Sequence, residues 1–249
     1  MMEVDDGSVV RDRTDGREPM EFRPTRSDFG IACVGSGRVE GSVRLAAGKT
    51  AVTAEVLGPS QASSAAGAMR AGHRDDVRVS VKTVVRPVSG MPGEREQELE
   101  QTVSKFVEGV LDPSCPPFTT VTVVVQILSE DGSLLSCILN ATAAALIEAG
   151  IPLFGYPVSV TIGMPYASET AVQVDPNLKE ERASEFLGTY TYVFTSDKSQ
   201  PDSTKPRIVQ MSTIGRSTTK SVVIALAAAE RAALVVLEAK RETVSHDAA

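Results

Sequence analysis

The chain has 249 residues, 42% of them hydrophobic and 4% aromatic, with 25 Lys and Arg against 32 Asp and Glu for a formal net charge of −7. A chain of about 250 residues hides roughly 70–75% of its unfolded surface on folding. Its 23% charged residues are close to the globular average, which excludes wholesale disorder, and no uncharged apolar run of about 18 residues is present to cross a bilayer.

Residues 1–14, polar and rich in Asp, read as a flexible arm ahead of a single domain over residues 15–244. The stretch Met1 to Asp15 has no apolar core and does not read as a secretory signal. Short β-branched runs follow. Arg38 to Leu45 alternates weakly, and Thr50 to Leu57 alternates as a half-buried strand does, ending at Gly58-Pro59. Gln61 to Gly72, rich in Ala, Ser and Gly, reads as a surface loop, and Val77 to Val85 as another alternating strand.

From Glu94 to Leu111 the period becomes helical. Leu99, Val103, Phe106, Val107 and Val110 share one face, and Glu94, Glu96 and Glu98 suit the positive end of the dipole. Thr119 to Leu128 is the strongest strand and is expected to be central. Asp131-Gly132-Ser133 then turns the chain into an apolar helix over Leu134 to Ala149, stopped by Gly150 and Pro152. Val158 to Ile162, Ala171 to Val174, Tyr190 to Phe194 and Ile208 to Met211 read as strands, and Ser196 to Pro206 as a mobile polar loop. A last helix over Thr218 to Glu242 turns Val222, Val223, Leu226, Ala233, Val236 and Leu237 inward. This order is α+β and lacks the strict alternation of a doubly wound sheet.

Charge is unevenly spread. Arg11, Arg13, Arg17, Arg23 and Arg26 form one basic cluster, and Arg70, His73, Arg74 and Arg78 a second. Such clusters read first as solvated loops, and second as part of an RNA surface shared with partners, because an acidic chain alone is a poor binder of phosphate backbones.

The possible chemical motifs are few. Three dispersed cysteines, Cys33, Cys115 and Cys137, and two histidines, His73 and His246, fit neither a disulfide scaffold nor a usual zinc spacing. A soluble, intracellular protein without metal or cofactor is expected. Gly48-Lys49-Thr50 fails as a phosphate loop because Val43 stands where the first glycine belongs and a strand follows instead of a helix. A tight turn suits Gly48 better, and Gly35-Ser36-Gly37 is another turn. A Ser/His/Asp triad would need His73 or His246, neither of them well held, and Cys137 reads as a core residue. Asp131-Gly132-Ser133 is either an anion site at a helix start or an ordinary turn with Ser133 as N-cap, the second being favoured.

Several segments together resemble the RNase PH family. These are Asp15-Gly16-Arg17 with Glu21-Phe22-Arg23-Pro24, Gly48-Lys49-Thr50-Ala51-Val52, Leu57-Gly58-Pro59, and Arg86-Pro87 with Gly90 and Pro92-Gly93. A central block is more specific: Val124-Val125-Gln126, Asp131-Gly132-Ser133-Leu134-Leu135, Leu139-Asn140-Ala141 and Ala149-Gly150-Ile151-Pro152. Val174-Asp175-Pro176 with Glu180-Glu181 extends it, so that residues 15–240 are covered, and the block is most like the eukaryotic branch found in the RNA exosome core.

The resemblance implies mixed β-sheets packed with helices (a ribosomal protein S5 domain 2-like arrangement) and a hexameric ring around an RNA-threading pore. Implied partners are other RNase PH-like subunits in a hetero-hexamer, cap proteins with S1 and KH domains, and single-stranded RNA, with no membrane. The implied location is nucleus, nucleolus and cytoplasm. Active members cleave RNA from its 3′ end with inorganic phosphate, using arginines to hold the phosphate and a carboxylate to assist, because negative charge accumulates on the transferring group.

Residue by residue, the arginine at the start of the central helix corresponds to Arg95, whereas the arginine after the Gly-rich turn corresponds to Leu134. The two acidic residues six apart correspond to Glu181 and Leu187, with Glu185 near the vacant place. Losing one such electrostatic element commonly costs about 10²–10³ in rate. The chain is therefore expected to be a catalytically inactive ring subunit, with no catalytic residue and with Arg95 as its RNA-contacting residue. The rival expectation is a self-assembling phosphate-dependent exoribonuclease, which rests on kinship of fold alone.

Overall fold

The computed structural model describes residues 13, 15–31, 39–61, 79–116, 119–165, 171–197 and 200–247. The second basic cluster, the turn at 35–37, Cys33, and all but Gln61 of the expected 61–72 loop lie outside these residues, as does the expected arm apart from Arg13.

Among the described residues nine strands form two sheets. The first has β1 (Thr25–Phe29), β2 (Gly41–Ala47), β3 (Thr50–Gln61), β4 (Ser80–Arg86) and β5 (Thr119–Ser129), in the order β1-β2-β3-β5-β4. β5 is interior, as its near-continuous apolar run requires, although the middle strand is β3. It pairs antiparallel with β3 and parallel with β4. A parallel pair needs a crossover, supplied here by α1 (Glu94–Val110), whose buried face is Val103, Phe106, Val107 and Val110 as its period dictates. The turn between β2 and β3 is Gly48-Lys49, with Gly48 at φ +59 and Ala47 opposite Thr50, which bears out the tight-turn reading.

α2 (Leu134–Glu148) follows β5 and is apolar nearly all round because it lies between the two sheets. The second sheet contains β6 (Tyr156–Pro165), β7 (Gln173–Val174), β8 (Ser184–Asp197) and β9 (Gln200–Gly215), in the order β7-β6-β8-β9, with the short helix α3 (Leu178–Arg182) between β7 and β8. Asn140 of α2 exchanges two hydrogen bonds with the Ser159 backbone of β6, at 2.8 and 3.0 Å, fixing helix to sheet. On the far face of this sheet packs α4 (Thr219–Asp247). The layers are thus sheet, helices α1 and α2, sheet, helix α4, with one apolar core between the first sheet and the inner helices and a second under α4. Among the described residues no helix is long and apolar enough to cross a membrane.

Several expectations are corrected. Ser196 to Pro206 is not a loop: apart from 198–199, which lie outside the described residues, its backbone continues β8 and β9, with Thr195 opposite Lys205 and Asp197 opposite Gln200. Backbone ladder bonds carry a polar hairpin outward once the apolar part of the pair has set the register. Val223 does not face inward but is 60% exposed, because the inner stripe of α4 runs through Ala225, Ala229, Ala232, Ala233 and Leu237 instead. β1 and α3 carry no pattern that the sequence reading recognised.

Candidate functional site

The motif segments converge on one knot. Arg23 binds the Asp175 carboxylate through Nε (2.9 Å) and Nη2 (2.6 Å), and donates to the carbonyls of Asp131 (2.6 Å) and Gly132 (3.1 Å). The Thr50 hydroxyl, at the start of β3, donates to the Gly132 carbonyl at 2.7 Å and accepts the Asp131 N–H at 2.9 Å. Gly132 has φ +83, and a Cβ there would stand 2.5 Å from the Pro176 carbonyl oxygen, so only glycine lets the 131–133 turn pack against the 176–178 segment. Asp175 is itself left-handed at φ +51, a conformation that Asp tolerates better than most residues.

The basic cluster at the N-terminal end is therefore not a set of solvated loops. Arg13, expected in the flexible arm, is buried. It donates to the carbonyls of Glu18, Glu21, Val174 and Asp175 and to both oxygens of Glu180. A guanidinium has five donors to place when water is excluded, and this segment supplies the acceptors. Arg26 alone among the described members is well exposed.

Beside the knot lies a cleft of about 260 Å³, and it gathers the four residues that the family resemblance singles out: Arg95, Leu134, Glu181 and Leu187. Arg95 enters from the first turn of α1 and Leu134 from the start of α2. Glu181 comes from α3 and Leu187 from β8, while Thr161 and Thr189, whose hydroxyls are 3.1 Å apart, line it from β6 and β8. Glu185 does not line the cleft.

Arg95 does not stand open. It makes a two-pronged ion pair with Glu130, Nη1 to Oε2 at 3.0 Å and Nη2 to Oε1, and these bonds raise its pKa above the usual arginine value. Glu130 was missed by sequence reasoning: it follows β5, 35 residues away, and no local pattern links the two.

Ser133 occupies the N-cap of α2, but its hydroxyl does not cap. In a left-handed conformation it turns to the Pro176 carbonyl (2.9 Å) instead, which corrects the capping reading. Its N–H donates to Glu181 Oε1 at 2.6 Å. Burial pushes the Glu181 carboxyl above its usual pKa, helped by the nearby charge of Glu130 and opposed by the Ser133 N–H, Arg23 and Arg95. Cys137 behaves as expected of a core residue, buried with its thiol pushed up to about 12 by burial.

The charged lining is thus one arginine against three glutamates, Glu98, Glu130 and Glu181. Leu134, 6% exposed, presents methyl groups at the helix start. No group of three or more His, Cys, Asp and Glu able to hold a metal occurs among the described residues.

The two sheets, the crossover helix and the cleft at the start of α2 define a class, and comparison with known proteins agrees. Residues 21–152 match the 3′ exoribonuclease family, domain 1, and the chain belongs to the RNase PH family. It is 33% identical over 195 residues to the exosome complex exonuclease RRP46 homolog of rice, covering 78% of this chain and 75% of that one. It is 32% identical over 171 residues to the Arabidopsis thaliana protein of the same name, covering 69% and 66%. The crystal structure of rice Rrp46 has a TM-score of 0.77 to it at 27% identity, covering 93% of this chain and 99% of that chain. The expected α+β RNase PH fold is therefore borne out.

Proposed function

We propose that this chain is a ring subunit of an RNA exosome core that supports 3′-to-5′ RNA processing and degradation through assembly and RNA path, without phosphorolysis of its own. The observation that carries the inactive reading is the cleft lining. Leu134 and Leu187 stand in the same cleft as Arg95 and Glu181, so the places that the family resemblance gives to a phosphate-holding arginine and a catalytic carboxylate are apolar. Methyl groups offer no charge to an oxyanion and no proton to a leaving oxygen.

Ring membership is supported by the exosome names that the rice and Arabidopsis relatives carry and by the surface. β9 pairs with β8 alone among the described strands, and along it Met211 is 53% and Ile214 71% exposed. An open edge bearing apolar side chains favours association. Its partners would be other RNase PH-like subunits, cap proteins with S1 and KH domains, and single-stranded RNA in the assembled complex, in nucleus, nucleolus and cytoplasm. Arg95, at the cleft mouth, would contact RNA by exchanging Glu130 for a phosphodiester.

Gentle affinity purification of the tagged chain tests this reading, together with a phosphorolysis assay on the pure protein. Recovery with several other RNase PH-like chains, and no phosphate-dependent release of nucleoside diphosphates, is expected. Recovery as a lone homo-oligomer that releases them would establish the rival, a self-assembling exoribonuclease.

A further inference from the structure

α4 buries one side against the second sheet and leaves the opposite side open. At about 100° per residue, that opposite side is centred on Lys220, Ala227, Arg231 and Glu238, all of them exposed. Val223 and the half-buried Leu234 flank this line on one side, and the half-buried Ile224 and Val235 on the other. Val223 is 60% and Val235 57% exposed. The solvent side of a surface helix is ordinarily polar, whereas this one places apolar residues between a lysine near one end and a glutamate near the other. Their order along the helix is self-complementary. Lys220 and Glu238 each lie nine residues from Ala229, and Val223, Ile224, Leu234 and Val235 lie five or six from it. An antiparallel copy of α4, with the two Ala229 residues level, sets Lys220 against Glu238 at both ends of the contact. On one flank Val223 meets Leu234 of the copy, on the other Ile224 meets Val235, and near the middle the small Ala227 faces Arg231. Each copy brings both Glu230 and Arg231 to that middle, so it carries no net charge. A parallel copy in register would instead set lysine on lysine and glutamate on glutamate.

We propose that the outer face of α4 is a docking surface for a second copy of this chain, with α4 packed antiparallel on α4 about a two-fold axis level with Ala229. Such an interface uses the same patch on both copies, which is what the mirrored order of charged and apolar residues provides. The surface is separate from the β9 edge and does not rest on the ring-subunit reading. From Lys220 to Glu238 the helix runs about 27 Å and is about 10 Å wide. A single helix pair of that footprint falls below the roughly 1,200 Å² of a standard stable interface, so the association is weak and reversible.

The test is sedimentation equilibrium of the pure full chain over about 10–1,000 µM, the range suited to a contact of this size. The wild-type chain is expected to pass from monomer to dimer and no further. Lys220→Glu and Glu238→Lys each set like charges together at both ends of the pair, and each should weaken self-association about tenfold, as two lost surface ion pairs replaced by repulsion imply. Mixing the two single variants gives a chain with two glutamates facing a chain with two lysines, and should restore association between them to within about threefold of wild type. Both positions are exposed, so the fold is retained. Should either variant not fold, Val235→Lys, at another exposed position of the same face, carries the test by abolishing the dimer.

A wild-type chain that stays monomeric throughout overturns the proposal. So does a dimer indifferent to these substitutions, which would be held by another surface such as the β9 edge, and so do weakened single variants that do not recover on mixing. Co-purification with other RNase PH-like chains is not read in this experiment. Its failure therefore leaves the ring-subunit reading standing, and failure of co-purification leaves this one.

Discussion

Asp175 receives three donors from one residue: Nε and Nη2 of Arg23, at 2.9 and 2.6 Å, and the Arg23 backbone N–H at 3.0 Å. The pair joins the segment before β1 to the segment after β7, and through Thr50 and Gly132 it also sets the turn from which α2 starts. The motifs by which the sequence resembles its family are in this sense a positioning device, and the cleft is what they position.

Removing one partner of this pair strands the other in a buried place. Asp175→Ala leaves the Arg23 charge uncompensated, and such losses cost about 3–5 kcal/mol. Denaturant unfolding should show a fall of that size, with the slope unchanged. A loss below about 1 kcal/mol, the range of a surface ion pair, would mean that the knot is not the anchor described here.

Asp175 and Glu181 should respond to acid in opposite senses. Burial alone would raise the Asp175 carboxyl, but the bonds and charge of Arg23 overcome this and hold it below the ordinary 3.8. Its stabilisation is present above pH 3.8 and is lost as pH falls through the folded-state value. Glu181 is raised above the ordinary 4.5 by burial. It leaves stability untouched below pH 4.5 and lowers it as pH rises through its folded-state value, because the folded chain then gives up its proton less readily than the unfolded one. Glu181→Gln, which can still accept the Ser133 N–H, should therefore melt higher than wild type at neutral pH, with the gain vanishing below pH 4.5. A lower melting temperature at neutral pH would show instead that the charge itself stabilises the start of α2.

Arg95→Glu would set a carboxylate against Glu130, so Arg95→Ala is the cleaner change. In the assembled ring it should weaken RNA protection and reduce the salt dependence of RNA binding by about one phosphate contact, with assembly intact. Unchanged protection and an unchanged salt slope would remove Arg95 from the RNA path.

Met211→Lys with Ile214→Asp should abolish co-purification with other RNase PH-like chains. Both positions are exposed, so the isolated chain's stability should move by no more than about 0.5 kcal/mol per change. Retained co-purification would exclude the β9 edge as an interface.

Much of the architecture could be read from local periodicity. The buried face of α1, the all-round apolarity of α2, the interior place of β5 and the turn at Gly48 each follow from a repeat of side chains a few residues long. β1 and α3 could not be read this way, because neither has a side-chain period of its own: β1 is mostly exposed, and α3 is a single capped turn. Val223 was misplaced because an Ala-rich helix has several plausible inner stripes, and the sheet it packs on selects one.

Residues taken singly or in short runs were enough for the family, the α+β class and most of the elements, β1 and α3 excepted. That Arg95, Leu134, Glu181 and Leu187 share one cleft, that Arg13 and Arg23 are internal, and that Glu130 pairs with Arg95 while Glu181 accepts the Ser133 N–H depend on the packed fold. The reason is physical: a charged side chain acts through whichever opposite charge lies within a few ångströms, and for Arg23 and Asp175 that partner is 152 residues away along the chain.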